Sequence, residues 1–475
     1  MASGYEAVIG LEVHAQLLTR TKLFCGCATS FGDSPNTHVC PVCLGLPGAL
    51  PVMNAEAARL AVRVAVALGL DVHEESTFER KNYFYPDLPK GYQISQYARP
   101  FSTGGRLDLD LPGGARRAEI QRVHLEEDAG KSVHGAGGES IVDLNRAGTP
   151  LVEIVGAPDL RSPEEASAYL RALRDVLMFV GANDGNLEEG SFRCDANVSV
   201  RRAGAAALGT RCEIKNVNSF RFVERAIAFE IARQTELVDA GRPVVQETRG
   251  WSERDERTYS LRSKEEAHDY RYFPDPDLPP LVLSRELVEG ERAALPELPR
   301  AKQARYLGLG LTPYDAKVLT AHPAIARLFD DAQAAYGGDA KRLANFVQTE
   351  ALSGVVLRGL EAELPASSAQ LAELMKLVDA GTISGKQAKE VYAAMAGTAR
   401  APAEIVAERG MAVISHEGEI TRLCERVLAD NAKSVESYRA GKSALFGFFV
   451  GAVMKATRGS ASPEVVQRVL KRLLG

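Results

Sequence analysis

The chain has 475 residues, 45% of them hydrophobic and 25% charged, and a net charge of −5. Those values belong to a globular protein of about two to four domains, and the acidic balance excludes a protein that coats nucleic acid with its whole surface, leaving room only for a local basic patch. No apolar run reaches ~18 residues, so no membrane-spanning helix is expected, and Met1 to Glu6 lacks the basic and apolar regions of a secretory signal; the chain reads as cytoplasmic.

From the N-terminus, Tyr5 to Val13 alternates apolar with polar residues and predicts a strand. Ala55 to Leu68 is rich in Ala, Val and Leu and runs into Gly69, the pattern of a helix with a glycine C-cap. Ile141 to Asn145, Leu151 to Val155 and Ala196 to Arg201 are further strands by composition. Ser162-Pro163-Glu164-Glu165 opens a second helix, expected to run to about Val180: a capping side chain, a proline in the first turn, and acids against the positive end of the helix dipole. Strands and helices mixed in this way predict an α+β fold class with a mainly antiparallel sheet in the N-terminal domain. Six prolines punctuate Phe273 to Pro299, and the first boundary is placed there, near residue 292. The pattern beyond is almost wholly helical, with glycine breaks at 381–385 and from Gly397 to Pro402, giving an all-helical domain over 293–400 and a helical tail domain over 401–475.

Seven cysteines, an odd number in a chain of this length, argue against a disulfide framework. Four of them form two pairs, Cys25-Gly-Cys27 and Cys40-Pro-Val-Cys43. Two thiol pairs on turns suit tetrahedral Zn²⁺, each turn supplying two ligands at about 2.3 Å, and four thiolates leave no open position for catalysis. A structural zinc knuckle over residues 25–43 and a set of free buried thiols both stand at this point. Cys194, Cys212 and Cys424 are isolated and read as small buried residues.

Charged residues recur where strand interiors are expected. Glu12 and His14 share one face of the first strand by alternation. His124-Leu-Glu126-Glu127-Asp128 crowds three acids together, and Glu153, Asp195 and Glu213 each interrupt an otherwise apolar run. Buried charges are costly unless paired or bound to metal, and Mg²⁺ prefers oxygen ligands. A shared Mg²⁺ site is the collective reading; a solvated edge or a salt bridge is the reading for any one acid alone. Lys81 to Gln93 is a loop dense in aromatic residues, Pro and Gly. Lys81, Lys90, Arg193 and Lys215 have the charge to neutralise an ATP polyphosphate, and Asn197 and Asn216 the amides to bond it, the alternative being surface lysines beside a packed loop. No phosphate-binding glycine motif of the P-loop or dinucleotide type occurs.

Residues 440–475 carry Lys442, Lys455, Arg458, Arg468, Lys471 and Arg472 against the single acid Glu464. This tail reads either as an RNA-binding patch or as the solvated end of a helical bundle. A free-standing carboxylate–amine ligase and a non-enzymatic RNA-binding scaffold are the competing functional classes; the strand acids speak against the scaffold and the basic tail against the small-molecule ligase.

Ile9 to His14, Cys40 to Gly45, Lys81 to Gln93, His124 to Lys131, Arg193 to Asn197, Asp269 to Asp277, and Leu445 to Gly451 with Val453 to Thr457 together resemble the motifs of the B-subunit family of tRNA-dependent aspartyl/glutamyl amidotransferases of the bacterial type, along the whole chain. The resemblance implies a cradle-shaped kinase domain, a helical domain and a tail domain. It also implies an ATP-dependent carbon–nitrogen ligase that phosphorylates the side-chain carboxylate of Glu-tRNA(Gln) or Asp-tRNA(Asn), with a separate amidase (A) subunit supplying ammonia from glutamine and a small C subunit completing a heterotrimer. On this basis Mg²⁺ is assigned to Glu12, His14, Glu126 and Glu127, with Glu153, Asp195 and Glu213 as further ligands. Phosphate is assigned to Lys81, Lys90, Arg193 and Lys215, supported by Asn197 and Asn216. Structural Zn²⁺ goes to Cys25, Cys27, Cys40 and Cys43, and misacylated tRNA to Lys442, Lys455, Arg458, Lys471 and Arg472.

Overall fold

The structure, a computed structural model, describes residues 4–134, 139–263, 270–411, 417–457 and 461–475. Backbone contacts divide the chain into two units, Met1–Ala301 and Lys302–Gly475.

The first unit is built on a nine-stranded sheet. Its strands in chain order are β1 (Tyr5–Gln16), β2 (Asp71–Val72), β3 (Ser102–Leu111), β4 (Gly114–Glu127), β5 (Pro150–Gly156), β6 (Phe192–Arg202), β7 (Cys212–Lys215), β8 (Glu247–Ser252) and β9 (Arg257–Ser263). They lie side by side as β9-β8-β7-β6-β1-β5-β4-β3-β2. Every neighbouring pair is antiparallel except β7 with β8. That parallel pair needs a crossover, and the helix α3 (Phe220–Asp239) supplies it. The mainly antiparallel α+β expectation holds, although the long β3–β4 pair and α3 were not placed from the sequence.

Alternation divides the sheet into two faces. Ile9, Leu11 and Val13 of β1 are each at most 1% exposed and pack with Leu60 and Val64 of α1 (Ala55–Ala67), Leu170 and Leu173 of α2 (Pro163–Phe179), and Val223 and Ile227 of α3. Each such buried aliphatic side chain contributes about 1.5–3 kcal/mol. The helices start where expected. The Asn54 side chain accepts from the amides of Glu56 and Ala57, the Ser162 hydroxyl accepts from that of Glu165, and Gly69 takes φ +70° just past the end of α1. With the apolar face covered by helices, the opposite face carries the polar residues of the same strands.

The Pro-rich stretch is not a bare linker. Phe273–Pro274 pairs with Arg80 and Glu79, Leu281–Val282 pairs with Glu75–Ser76, and Asp275 and Asp277 hold Arg80 at 2.8 and 2.9 Å. The helix α4 (Arg285–Ala293) then returns to α1, where Glu291 pairs with Arg59 and Arg63.

The second unit is helical apart from the hairpin Val356–Arg358/Glu361–Glu363, a departure from the all-helical expectation. One apolar cluster runs from Tyr306 through Phe329, Leu371 and Met395 to Ile405 and Val406. The boundary expected at 400 thus cuts ahead of helix Pro402–Glu408, whose buried residues pack with the helices before it. A separate cluster joins Ile420, Cys424, Phe449, Val453, Val466 and Leu470.

Candidate active site

The polar face of the sheet forms a cavity of about 530 Å³, lined among others by Glu12, His14, Lys81, His124, Glu153, Asp195, Glu213 and Lys215. Register places these residues together. His14 of β1 lies opposite Glu153 of β5, which lies opposite His124 of β4, while Glu12 lies opposite Asp195 of β6. The Oε2 of Glu153 is 3.2 Å from His124 Nε2 and 3.5 Å from His14 Nε2, and Glu126 Oε2 is 3.8 Å from His124 Nε2. Glu126 is also bonded by Gln93 Nε2 and, at 2.8 Å, by the Ser95 hydroxyl. Asn197 Nδ2 donates to Glu12 Oε1 at 2.9 Å, Lys215 Nζ to Asp195 at 2.8 Å, and the Thr248 hydroxyl to Glu213 at 2.9 Å.

The charges are strongly coupled. Burial and then the negative charges of Glu153, Asp195 and Glu213 hold the Glu12 carboxyl above its ordinary range. Burial works against ionisation of Glu153 too, but His124 and His14 outweigh it and hold that carboxyl well below the usual value. Burial likewise opposes the charged imidazoles of His14 and His124, and Glu153 more than offsets it, so both are raised. Lys81 is raised well above the ordinary lysine value against its burial, foremost by Glu126. Lys215 is raised by Asp195 and Glu213.

Ligand atoms of His14, Glu126 and Glu153 lie within 4.8 Å of one another. Two carboxylates and one imidazole, beside a Glu12 whose negative charge is not fully compensated, fit a divalent cation with oxygen preference. Lys81 and Lys215 stand in the same cavity with the charge and reach to meet phosphate.

Not every expected residue joins this cluster. Adjacent residues on a strand point to opposite faces, so Glu127 turns away from the face on which Glu126 meets His14 and Glu153. Glu127 pairs instead with Lys90, accepts from the amide of Ile94 at 2.9 Å, and lines a smaller cavity of about 200 Å³ beside Cys25 and Cys43. Glu127 and Lys90, expected among the Mg²⁺ and phosphate residues, are thus not brought together with them. Arg193 bonds Asp128 at 2.9 Å and is not among the cavity-lining residues. Asn216 is exposed, at φ +59°, and Asn197 is bonded to Glu12.

His124 and Arg122 were passed over in the sequence, yet both line the cavity. Their signal was the parity they share with Glu126 on one strand. Arg122 donates to the Tyr97 carbonyl at 3.2 Å, and its buried Nε has no hydrogen-bond partner among the described residues. Tyr270 and Tyr272 of the aromatic motif line the same cavity, and Tyr272 stacks on Tyr97 at 4.4 Å between centroids. Asp269 of that motif lies outside the described residues.

The four cysteines converge, with all four Sγ atoms within 4.8 Å of one another. The turn after Cys40 is closed by Leu44 N to Cys40 O at 3.0 Å and Gly45 N to Val42 O at 3.0 Å. Cys43 Sγ accepts from the Cys40 amide at 3.1 Å. A hydrogen bond from Cys25 holds the Cys43 thiol low and pushes that of Cys25 up, while burial pushes Cys27 up to about 11. Four convergent sulfurs, one of them in a thiolate environment, fit tetrahedral zinc. Cys194, Cys212 and Cys424 are buried singly, as expected.

In the tail, Lys442, Lys455 and Lys471 are exposed. Arg472 is exposed but pairs with Glu417 at 2.6 Å, and Arg458 lies outside the described residues. No helix among the described residues is long and apolar enough to cross a membrane.

Residues 7–289 match the family described as GatB/GatE catalytic domain, and residues 327–474 match the one described as GatB domain. The chain is 56% identical over 483 residues to a protein of Anaeromyxobacter dehalogenans, covering 100% of this chain and 99% of the relative. It is 53% identical over 476 residues to one of Myxococcus xanthus (100% and 99% covered) and 53% identical over 476 residues to one of Geobacter sulfurreducens (99% of each). All three relatives are named as the B subunit of an aspartyl/glutamyl-tRNA(Asn/Gln) amidotransferase.

Proposed function

The chain belongs to the B-subunit family of aspartyl/glutamyl-tRNA amidotransferases, and on that premise we propose that it activates the side-chain carboxylate of Glu-tRNA(Gln), Asp-tRNA(Asn) or both at the expense of ATP, in the cytoplasm and within a heterotrimer with an amidase (A) subunit and a small C subunit. The observation that carries this reading is the convergence of His14, Glu126 and Glu153, of which His14 and Glu153 line the cavity that Lys81 and Lys215 also line.

A carboxylate resists amidation because its charge is delocalised and its leaving group is oxide. Attack of a carboxylate oxygen on the ATP γ-phosphorus breaks the bond to the β-phosphate bridge and releases ADP, leaving an acyl phosphate. Ammonia then attacks the acyl carbon, inorganic phosphate departs, and the excess proton passes to a neighbouring base. Such chemistry asks the protein chiefly for positioning and charge stabilisation. His14, Glu126 and Glu153 would hold Mg²⁺, whose contribution is to neutralise the transferring phosphoryl group. Lys81 and Lys215 meet the phosphate oxygens, joined by Arg122 through its buried Nε. Asn197 orients Glu12, and His124 orients Glu153 and Glu126. Lys442, Lys455 and Lys471 grip the tRNA away from its acceptor end.

The test is ATP hydrolysis by the purified chain, alone and with its partner subunits, on misacylated and uncharged tRNA. Stimulation confined to misacylated tRNA, with amidated product once the partners are present, supports the reading. Hydrolysis indifferent to the aminoacyl group on both tRNA species refutes it.

A further inference from the structure

Lys22 sits between the end of β1 and the first cysteine pair, and its side chain is completely buried, at 0% exposure. Its Nζ donates to the carbonyl oxygens of His38 at 2.6 Å and Leu144 at 3.2 Å, and to Cys43 Sγ at 3.6 Å. An ammonium has three N–H groups, and these three acceptors engage them all. None of the three is a carboxylate. Glu127 lines the same cavity but is held by Lys90, and no Asp or Glu among the described residues forms an ion pair with Lys22.

A fully buried cation among neutral acceptors is strongly unfavourable unless negative charge lies nearby. With Glu127 paired to Lys90, the negative charge that Lys22 itself meets is that of the sulfurs. Four thiolates around one divalent ion carry two negative charges in excess. Cys43 is the buried member of the set, Cys25, Cys27 and Cys40 being partly exposed, and Lys22 offsets one charge at that buried sulfur. Cys43 Sγ already accepts from the Cys40 amide, so Lys22 is a second donor aimed at the same sulfur, the arrangement by which surrounding groups tune a metal ligand.

We propose that Lys22 is the buried counter-cation of the four-cysteine site and that its bond to Cys43 Sγ sets how firmly zinc is held. Lys22 is a positioning residue here, not a ligand. It also ties the metal site to the chain that leads into β5. Leu144 O is one of its acceptors, Leu23 N donates to Gly148 O at 2.8 Å, and Gly148, at φ +88°, passes so close that a Cβ there would lie 3.5 Å from Lys22 Cδ and 3.6 Å from Cys43 Cβ.

The proposal rests on the reading that the four cysteines bind zinc, and the experiment separates the two. Full-length wild type, Lys22→Arg and Lys22→Met are purified under reducing conditions, and each is measured for zinc content, for the rate of zinc transfer to a chromophoric chelator, and for the thiolate-to-metal charge-transfer absorption after cobalt substitution. Expected are one zinc in the wild type, near-native behaviour of Lys22→Arg, and release faster by about tenfold or more in Lys22→Met. The cobalt bands of Lys22→Met should move to lower energy, because a sulfur without its cationic donor gives up charge more readily. A loop staple acting only on the two carbonyls would lower the melting temperature and leave the bands in place. Should Lys22→Met not fold, Lys22→Gln keeps an N–H donor, removes the charge, and carries the same comparison. Unchanged release and unchanged bands overturn the role of Lys22 while leaving zinc in place. A wild type that takes up neither zinc nor cobalt overturns both.

Discussion

Replacing Glu126 by glutamine removes one negative charge and almost no volume from the His14–Glu126–Glu153 cluster. The side chain is 2% exposed, and its ligand atom lies within 4.8 Å of those of His14 and Glu153. At ~4 Å in a partly buried site, a pair of unit charges interacts by about 4 kcal/mol. Desolvation of the carboxylate takes back part of that, and a net loss of about 3 kcal/mol corresponds to about 100-fold in cation affinity. The fold should tolerate the change. The amide oxygen introduced by Glu126→Gln can still accept from Ser95, and the bond from Gln93 is the one at risk, a cost of about 1–2 kcal/mol against a domain stability of about 5–15 kcal/mol. The assay is ATP hydrolysis stimulated by misacylated tRNA in the reconstituted complex, titrated with Mg²⁺. In parallel, melting is followed against Mg²⁺, since a bound ion raises the midpoint by mass action. The variant should require about 100-fold more Mg²⁺, and its midpoint should stop responding to the ion over the wild-type range. A half-saturating Mg²⁺ concentration within about threefold of wild type, with unchanged turnover, would remove Glu126 from the cation site.

Cys27→Ser should lose the metal, read as zinc per chain, because three sulfurs and a hydroxyl do not reproduce the four-thiolate set; retention of a full equivalent would refute the assignment. Removing residues 417–475 spares the cluster that ends at Ile405 and Val406 and should raise the KM for misacylated tRNA by about tenfold or more, with a shallower dependence on salt; an unchanged KM defeats the role of the tail. Asp315, 4% exposed, completes a capping box with Thr312 and binds Lys341 and Gln348, and these bonds outweigh burial and hold its carboxyl well below the usual range. A depressed folded value means stability that is present above about pH 4 and lost as pH falls through the folded value. Asp315→Asn should therefore cost about 1–3 kcal/mol at neutral pH, and the gap in denaturant midpoint should close below about pH 4; a gap that stays constant with pH contradicts the ion pairing.

Much of this protein is written in local pattern. Alternation in Tyr5 to Val13 already puts Glu12 and His14 on one face, the Ser162 cap and Gly69 mark helix ends, and the cysteine spacing marks two metal-binding turns. These are legible because they depend on side-chain period and backbone chemistry over a few residues. Tertiary structure decided the rest. Whether Glu126 or Glu127 joins the cluster depends on β4 lying beside β5 and β5 beside β1, an order that brings residues 14, 153 and 124 into register across more than a hundred positions of sequence. Arg472 looked like a free base until helix Glu417–Asp430 set Glu417 against it. The Pro-rich stretch reads as a domain boundary in the sequence, and only the fold shows that Arg80 holds its Asp275 and Asp277. Local period names the face a residue occupies; only the packing of distant strands and helices determines which charges meet there, because Coulomb energy depends on separation in space and not along the chain.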